Sequence, residues 1–538
     1  MISNDPPISG QQLIGLDAVA GTASDLRGID PAAGAPLQPA FTAATAEQID
    51  RACLLAASAF DTYRALPLSV RADFLQAIAD EILALGDGLI ERAHQESGLP
   101  MPRLNGERDR TVNQLRLFAQ GVRSGAWLGV RVDNALPQRQ PLPRPDLRQW
   151  KIPLGPVAVF GSSNFPLAFS VAGGDTASAL AAGCPVVVKA HPAHPGTSEL
   201  VGRAVQNAVR KIAGVPDGVF SLLVGAGNDL GAALVTHPAI QAVGFTGSRA
   251  GGLALAKLAA ARSVPIPLYA EMSAVNPVYL LPAALSARGS ALAAPFVDSL
   301  TMGAGQFCTN PGVLLGIAGP HWDAFVAQAA HVLAERGAAP MLTQGIHAAY
   351  ERGSATLAQH AGVSQLSQGV SEGSGWRGQP RLFATDAASF LADPALSAEV
   401  FGPSSLLVAC RDEDELLAVT ESLEGQLTAT LLMDDADLPL ARRLLPALER
   451  RVGRILANGF PTGVEVSHAM VHGGPYPATS DSRSTSVGTL AIERFLRPVC
   501  YQNLPDALLP EALRHDNPLG LDRLVDGIGS TGSSPHHR

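Results

Sequence analysis

The chain is poor in charge, and the charge it has is weakly acidic. Charged residues make up 16% of its 538 residues, below the roughly 25% of an average globular domain. Lysine and arginine number 39 against 48 aspartates and glutamates, so the formal net charge is −9. No basic block supplies the electrostatic footprint of a nucleic-acid-binding protein, so we expect no nucleic-acid partner. The hydrophobic share of 46% excludes a disordered chain, and the length predicts about two to four domains.

Cysteine is scarce, and no uninterrupted apolar run spans a membrane. The five cysteines are scattered without CxxC spacing, which excludes a disulfide framework and favours a reducing compartment. The N-terminus has neither the basic region nor the apolar core of a secretory signal. The longest uncharged stretch, 152–174, contains prolines, serines and an asparagine that lipid would leave unsatisfied. We therefore expect a soluble, cytoplasmic protein with no membrane partner.

Strand and helix patterns alternate between residues 154 and 273. Short apolar runs predict strands at Pro156–Phe160, Pro185–Lys189, Val219–Val224, Ala242–Thr246 and Pro267–Glu271. Alanine-rich segments with helical spacing lie between them, at Ser170–Ala182, Thr197–Ala213, Asp229–Thr236 and Ala250–Ala261. This order indicates a parallel sheet, whose ligand lies in the loops at the carboxyl ends of the strands.

The flanking regions have different patterns. The first 150 or so residues are predicted to be largely helical, with periodic stretches at Ala46–Arg64, Val70–Leu85 and Gly106–Ser124. The proline-interrupted piece 137–145 is predicted to be extended, as a strand of a projecting arm. A second alternating region, from Pro277 to about Gly463, predicts a second α/β domain. The polar tail beyond Asp526 is expected to be disordered.

Two glycine-rich turns are candidate phosphate sites. Phe245-Thr-Gly247-Ser248-Arg-Ala-Gly251-Gly252 follows a strand and opens a helix, where backbone amides favour anionic oxygens. A serine-capped structural turn is the alternative. The spacing GxGxxxG at 225–231 is one residue longer than the dinucleotide fingerprint, and a structural turn is equally open there. Lys189 directly follows a buried strand at the ligand edge, where it can donate to a ribose or a phosphate.

Three polar side chains are candidates for covalent chemistry. Small and polar residues surround Cys308, which indicates an accessible sulfur; the other four cysteines are interpreted as buried hydrophobes. Glu271 ends a predicted strand, where burial is expected to raise its pKa towards that of a general base. A structural ion pair is an equally open interpretation. The amide of Asn164 can stabilise an oxyanion, or it can belong to an ordinary turn.

His468 and His472 stand four residues apart, a spacing that can bind zinc on a helix. The segment lacks the adjacent glutamate of a metalloprotease motif. We therefore predict no metal site.

Six motifs, in the same order, resemble the aldehyde dehydrogenase superfamily. They are Asn164 before Phe-Pro, Val-Val-Lys189, Phe-Thr-Gly247-Ser248, Glu271, Gly305-Gln-x-Cys308 and Glu399-x-Phe401-Gly-Pro403. The match extends from about residue 40 to residue 505. The segments His472-Gly-Gly-Pro and Arg494-Phe-Leu-Arg-Pro resemble a narrower branch, whose members oxidise 2,5-dioxopentanoate or long-chain fatty aldehydes.

The resemblance implies covalent catalysis. Cys308 would attack the aldehyde carbon, and the Asn164 side chain and the Cys308 backbone amide would hold the oxyanion of the thiohemiacetal. Glu271 would activate the water that hydrolyses the resulting thioester. Relatives that transfer the acyl group to coenzyme A typically lack this glutamate, so a free carboxylic acid is the expected product.

The resemblance also implies a nicotinamide cofactor. Lys189 would bind the adenosine ribose, and Gly247 and Ser248 would lie near the pyrophosphate. Glu399 would hold the nicotinamide ribose, with Phe401 beside the ring.

Two departures from the family pattern bear on specificity. Many NAD-preferring members have a glutamate three residues after the lysine, where this chain has Pro192. Without that carboxylate nothing repels a 2′-phosphate, so NADP is predicted to be preferred and NAD also accepted. Ser163 stands where tryptophan is common. His191 and His194 are interpreted as surface residues of a loop.

The substrate is expected to be a dicarboxylic semialdehyde, 2,5-dioxopentanoate, whose oxidation yields 2-oxoglutarate. The alternative is a long-chain fatty aldehyde with NADP, which needs an apolar tunnel. A carboxylate needs paired donors, which the helix containing Arg108, Arg110, Gln114 and Arg116 can supply. Solvated helix charges are an equally open interpretation of these residues.

The expected architecture is an α/β fold of the aldehyde dehydrogenase type. It comprises a Rossmann-type cofactor domain at 1–129 and 152–270, an α/β catalytic domain at 271–478 and an oligomerisation arm at 130–151 and 479–505. A partly disordered extension follows at 506–538. The arms are expected at the interface of a homodimer or homotetramer.

Two alternatives from other classes stay open at this point. A cysteine hydrolase built on the same thiol predicts ester cleavage without any nucleotide. A crystallin-like structural relative predicts a lost nucleophile or base, whereas the sequence has both.

Overall fold

The computed structural model describes residues 8–530. The strands, in chain order, are β1 (Gln12–Ile14), β2 (Asp17–Val19), β3 (Thr22–Leu26), β4 (Ile29–Asp30), β5 (Ala35–Pro36), β6 (Phe41–Ala43), β7 (Arg131–Asp133), β8 (Leu147–Pro153), β9 (Val157–Phe160), β10 (Val186–Lys189), β11 (Phe220–Leu223), β12 (Ala242–Thr246), β13 (Leu268–Glu271), β14 (Val278–Leu280), β15 (Val313–Ile317), β16 (Ala339–Pro340), β17 (Ser364–Gln368), β18 (Arg377–Gly378), β19 (Arg381–Asp386), β20 (Ser404–Cys410), β21 (Gln426–Leu432), β22 (Val452–Ala457), β23 (Leu496–Gln502), β24 (Arg523–Val525) and β25 (Ile528–Ser530).

The helices, in chain order, are α1 (Ala46–Arg64), α2 (Leu68–Ala84), α3 (Gly86–Ser97), α4 (Met101–Ser124), α5 (Gly174–Ala182), α6 (Pro195–Lys211), α7 (Asp229–Thr236), α8 (Arg249–Ala260), α9 (Pro282–Thr301), α10 (Pro320–Ala334), α11 (Gln344–Gln359), α12 (Ala387–Ala392), α13 (Glu413–Ser422) and α14 (Leu438–Arg451). No helix among the described residues combines the length and the apolarity that a membrane span needs.

Seven strands form the first sheet, in the order β13-β12-β9-β10-β11-β1-β2. Strands β9 to β13 are parallel, and β9, β10 and β11 are almost entirely buried. The chain adds β10 and β11 on one side of β9, and then β12 and β13 on the other. Ligand crevices of such sheets lie at this reversal, outside the carboxyl ends of the strands. All five strands overlap the runs predicted from the sequence, and the α/β class is confirmed.

The second sheet contains seven strands, in the order β17-β19-β20-β15-β14-β21-β22. All of its pairs are parallel except β17 with β19. Two separate clusters of buried apolar side chains pack against it. This sheet corresponds to the second alternating region of the sequence.

A third sheet, in the order β23-β8-β7-β24-β25, forms the arm. Strand β23 pairs antiparallel with β8 along its whole length, from Leu496 opposite Pro153 to Gln502 opposite Leu147. The extended arm strand is therefore β8, whereas the predicted piece 137–145 is a loop closed by a bridge between residues 136 and 144. The prolines in that loop remove the amide donors that a paired strand needs. The domain bounds given above stay a prediction.

The predicted disorder beyond Asp526 is wrong for the residues next to it. Asp526 and Gly527 have φ of 51° and 79°, a left-handed two-residue turn that folds β25 back onto β24. Residues 531–538 lie outside the described range.

The prediction of a largely helical N-terminal region holds only from Ala46 onwards. Six short strands precede it, and β1 and β2 extend the first sheet through β11. Gly10 and Gly15 have positive φ and turn the chain between short segments. Helices α1, α2 and α4 overlap the three predicted helices, and α4 begins before its predicted start.

Candidate active site

The three candidate catalytic side chains come from different loops and border one cavity. Asn164 follows β9, Glu271 ends β13, and Cys308 lies in the loop between α9 and β15. Together they line a cavity of about 440 Å³, which we call the inner cavity. The first two positions are at carboxyl ends of the first sheet, so that sheet brings them to the same edge.

The loop of Cys308 is held from both sides. The Asn276 side chain donates to the Cys308 carbonyl at 2.9 Å. Gly305 has a φ of 66°, and a Cβ there would lie 2.3 Å from the carbonyl carbon of Gly402. Only glycine allows this close approach, which brings the thiol loop against the loop that contains Glu399.

A histidine that the sequence analysis did not assign to the site joins the thiol to the carboxylate. His472 Nε2 lies 3.3 Å from Cys308 Sγ and 2.9 Å from Glu271 Oε1. The Ser486 hydroxyl donates to the other oxygen of Glu271 at 2.7 Å. From the sequence, His472 was considered for its spacing from His468 and was assigned no role in catalysis.

His468 instead contacts the Thr489 hydroxyl. In the sequence, His472 and the glycines after it resemble the narrower branch of the family, which was the available signal that this histidine is functional. Nothing in the sequence, however, places it beside Cys308 and Glu271, which are more than 160 positions away. The ligand atoms of Glu271, Cys308 and His472 also lie within 4.8 Å of one another. A thiol, an imidazole and a carboxylate can all bind metal ions, so the absence of a metal site stays a prediction.

The surroundings keep the thiol neutral and the carboxyl charged. Burial and the neighbouring Glu271 carboxylate raise the pKa of Cys308 well above its ordinary value. Burial also raises the pKa of Glu271, but His472 and the hydrogen bonds from His472, Ser486 and Cys308 outweigh it. The pKa of Glu271 therefore lies below its ordinary value, and the expected upward shift is wrong. Hydrogen bonds to the charged form favour ionisation.

Two amide donors lie near the sulfur. Asn164 is 7% exposed, and its Nδ2 donates to the Gln306 carbonyl at 3.0 Å, which leaves one hydrogen of the amide. No described residue accepts a hydrogen bond from the Cys308 backbone amide. Ser163, in the place where tryptophan is common, also lines the inner cavity. This geometry suits a negative oxygen that develops beside the sulfur.

A second cavity, of about 620 Å³, continues along the carboxyl edge of the first sheet; we call it the outer cavity. Lys189 and Pro192 line it, whereas Gly247 and Ser248 line both it and the inner cavity. Ser248 caps α8 by accepting from the Gly251 amide at 3.2 Å. None of the described residues that line the outer cavity is acidic. Burial lowers the pKa of Lys189.

Glu399 and Phe401 line the inner cavity on the side of the second sheet. Burial of its carboxyl group raises the pKa of Glu399 to about 8. All eight site residues predicted from the sequence therefore border the inner or the outer cavity. Gly227, Asn228 and Gly231 of the GxGxxxG turn line the outer cavity too.

Of the loop histidines after β10, His194 is buried, whereas His191 is half-buried and borders the inner and outer cavities. His194 is 0% exposed, and its Nε2 contacts the Ser162 carbonyl at 3.0 Å. Its ring stacks on that of His191, with the centroids 5.5 Å apart. They attach the loop after β10 to the loop after β9, a packing role that sequence position alone did not reveal.

A third cavity, of about 530 Å³, opens on another side of the thiol; we call it the arginine cavity. Its lining includes Arg103, Glu107 and Arg110 from α4, together with Cys308 and His472. Cys308 borders both this cavity and the inner cavity, so two molecules, one bound in each cavity, can meet at its sulfur.

Of the charged residues predicted on this helix, only Arg110 lines the arginine cavity. Arg116 pairs with Asp80 at 3.2 Å, and Arg108 lies beside Asp109. Arg103 was missed. The spacing of residues 103, 107 and 110 on one helical face was the signal that could have found it.

The sequence comparisons bear on this geometry. A sequence profile described as the aldehyde dehydrogenase family matches residues 19–476. The alpha-ketoglutaric semialdehyde dehydrogenase 2 of Azospirillum brasilense is 63% identical over 521 residues, covering 97% of this chain and 99% of the relative. The alpha-ketoglutaric semialdehyde dehydrogenase of Acinetobacter baylyi is 51% identical over 523 residues, covering 97% and 98%.

A solved structure has the same fold. Aldehyde dehydrogenase C of Pseudomonas syringae, as a mutant complexed with NAD⁺ and octanal, aligns with a TM-score of 0.78. The alignment covers 94% of this chain and 99% of the other, at 21% identity. At that identity the likeness concerns the fold alone.

Proposed function

The chain belongs to the aldehyde dehydrogenase family, and on this premise we propose that it oxidises 2,5-dioxopentanoate to 2-oxoglutarate. The family resemblance drawn from the six motifs is thereby confirmed, and the chain is an oxidoreductase that converts aldehydes to carboxylic acids with NAD(P). The proposed substrate is supported by the 63% identity over nearly the whole length to a relative named for that semialdehyde.

The first step in our proposal is nucleophilic attack by Cys308. Its raised pKa requires an acceptor for the thiol proton, and the Glu271 carboxylate, which accepts a hydrogen bond from the thiol, can take it. His472 Nε2 lies 3.3 Å from Cys308 Sγ and 2.9 Å from Glu271 Oε1, so its N–H favours negative charge on either group. His472 thereby links the sulfur and the carboxylate in one proton-transfer unit.

The oxyanion formed by this attack accepts hydrogen bonds from Asn164 Nδ2 and the Cys308 amide. Glu399 and Phe401 would hold a nicotinamide at the inner cavity, which would supply the hydride acceptor. Glu271, whose lowered pKa lets it release the first proton to solvent, then takes the proton of the water that hydrolyses the thioester. The products are the free acid and the regenerated thiol.

The residues along the crevice fit a nicotinamide dinucleotide. Glycines at the start of α8 allow close approach of a pyrophosphate, and an added Cβ at Gly247 would lie 2.8 Å from the Phe245 ring. Lys189 offers an ammonium at the outer cavity, and Glu399 a carboxyl group at the inner one.

We propose that NADP is preferred. Within residues 8–530, no carboxylate lines the outer cavity to repel a 2′-phosphate, and Lys189 offers a cation there. Pro192 borders this cavity at the position where a glutamate would select NAD.

For assembly and location we keep the sequence predictions as proposals. Strand β23 lies at one edge of the arm sheet, where another subunit can add a strand, which supports a homodimer or homotetramer. All five cysteines are unpaired, which supports a reducing, cytoplasmic setting.

A single kinetic panel tests substrate and cofactor together. We expect kcat/KM for 2,5-dioxopentanoate to exceed that for decanal by about 100-fold or more, with 2-oxoglutarate as the product. With the better aldehyde fixed, kcat/KM is then compared between NADP and NAD. A preference for decanal would overturn the substrate, and a roughly tenfold preference for NAD, about 1.4 kcal/mol, would overturn the cofactor assignment.

A further inference from the structure

A guanidinium group without a hydrogen-bond partner borders the arginine cavity. Arg110 Nε and Nη2 are buried, and neither donates to any described residue. The side chain forms no ion pair within residues 8–530. Buried charged groups in proteins are normally paired and hydrogen-bonded, because desolvation without a partner is costly. An arginine in this state is prepared for an anionic ligand.

The carboxylate on the same face of the helix is engaged through one of its oxygens. That oxygen of Glu107 accepts from the backbone amides of Leu167 and Ala168, at 2.8 and 3.0 Å. The other oxygen is buried and accepts from no described residue, so Glu107 holds the loop after β9 and makes no direct bond to Arg110.

Aromatic rings fix the plane of the guanidinium. The Arg110 Cζ lies 5.0 Å from the ring centroid of Phe169 and 5.9 Å from that of Phe165. Because the rings contact the face of the guanidinium, the N–H groups along its edge stay available for a planar partner that accepts two hydrogen bonds. A carboxylate is such a partner, and a neutral alkyl chain is not.

A second arginine contributes on the same helical face. Arg103 stacks over Phe307 at 4.5 Å, and its Nη1 is also buried without a partner. Its Nη2, however, donates to the Asn164 carbonyl at 2.8 Å, so this residue also holds the oxyanion loop. Arg110 has no such second role, which makes it the better position to test.

We propose that Arg110 recognises the carboxylate at the far end of the aldehyde substrate and thereby selects an anionic, short-chain aldehyde. This inference rests on the proposed function, because 2,5-dioxopentanoate has its aldehyde and its carboxylate at opposite ends. With the carboxylate on Arg110, the aldehyde extends through the arginine cavity towards Cys308, which borders the same cavity. Arg103 adds positive charge without being the main contact.

The test compares two aldehydes in the variants Arg110→Met, Arg110→Lys and Arg116→Met. For Arg110→Met we expect kcat/KM on 2,5-dioxopentanoate to fall about 100-fold, while kcat/KM on pentanal changes less than about threefold. Arg110→Lys should recover part of the loss, because the charge remains and the fork does not. Arg116→Met, on the same helix and paired with Asp80, should behave as the wild type.

Pentanal turnover also reports the active fraction, so partial misfolding does not obscure the result. With pentanal as substrate, 2-oxoglutarate should inhibit the Arg110→Met variant at least tenfold more weakly than the wild type. A variant that keeps its preference for 2,5-dioxopentanoate, or that loses both activities equally, overturns the anchor alone. A wild type that oxidises 2,5-dioxopentanoate no better than pentanal overturns both the anchor and the proposed function.

Discussion

The cavities on the two sides of Cys308 are built differently. The inner and outer cavities are formed largely by loops that directly follow strands of one parallel sheet, with glycines, Lys189 and Ser248 at their edge. The arginine cavity is formed by side chains of α4 and by distant segments around Phe165, Thr462 and His472. The first construction presents backbone and a few polar groups to a ligand common to many enzymes. The second presents individual side chains, which can differ without disturbing the sheet.

Replacing the Cys308 thiol should have the largest effect, because it removes the reaction with the aldehyde while leaving cofactor binding in place. Cys308→Ala should lower kcat by on the order of 10³-fold or more, because no other described side chain in the cluster can form the thioester. Binding of NADPH should change little, because the cofactor-side cavities keep their other lining residues. Steady-state rates and a fluorescence titration with NADPH measure the two effects. Turnover above a few per cent of wild type would contradict the role of this sulfur.

Replacing His472, which lies between Cys308 and Glu271, should have the next largest effect. His472→Gln should lower kcat/KM about 100-fold and move the rising limb of its pH profile to higher pH. The reason is electrostatic: burial and Glu271 already raise the pKa of Cys308, and the variant removes the ring nitrogen that lies between the sulfur and the carboxylate. The rate of inactivation by iodoacetamide, measured against pH, reports the thiol directly.

His468→Gln is the matched control, because His468 lies on the same segment but contacts Thr489 outside the cluster. It should leave the profile in place. If both variants have the wild-type pH profile, His472 only fills space beside the thiol.

The two constructions also explain how much the sequence could predict. Asn164, Lys189, Gly247 and Glu271 follow or end buried strands, so their position at the ligand edge is readable from local pattern. His472 and Arg103 reach the thiol only through tertiary packing of a remote segment and a helix face. The downward shift of the Glu271 pKa was missed for the same reason, since it depends on His472.

The first residues and the arm illustrate the same limit. Strands β1 and β2 are three residues each, too short for a periodic pattern. Strand β1 forms because β11 offers it an edge, and β2 then pairs with β1. Strand β25 depends on a two-residue turn that the polar composition of the tail concealed. Local sequence patterns therefore predicted the parallel strands, whereas the strands at the edges of the sheets depend on pairing with distant segments.

The smallest predicted effect is a gain in folding stability when Glu399, which lines the inner cavity, is replaced. Burial raises the pKa of Glu399 to about 8, from an ordinary value of 4.5. Below about pH 4.5 this carboxyl is protonated in both the folded and the unfolded chain, so it does not affect stability. As the pH rises towards 8, the unfolded chain releases the proton while the folded one retains it, and the free energy of unfolding decreases.

Glu399→Gln removes this pH-dependent loss, so its Tm should exceed that of the wild type by a few degrees at pH 8 and by much less at pH 5. The pH 5 measurement is the internal control, because packing changes would appear at both values. The same variant should bind NADPH more weakly, since a neutral amide replaces the proposed ribose contact. A Tm difference that is constant between pH 5 and pH 8 would mean that the carboxyl is not titrated by folding. In that case the cofactor side, like the arginine cavity, would depend on specific side-chain contacts and not on a buried carboxyl group kept available for its ligand.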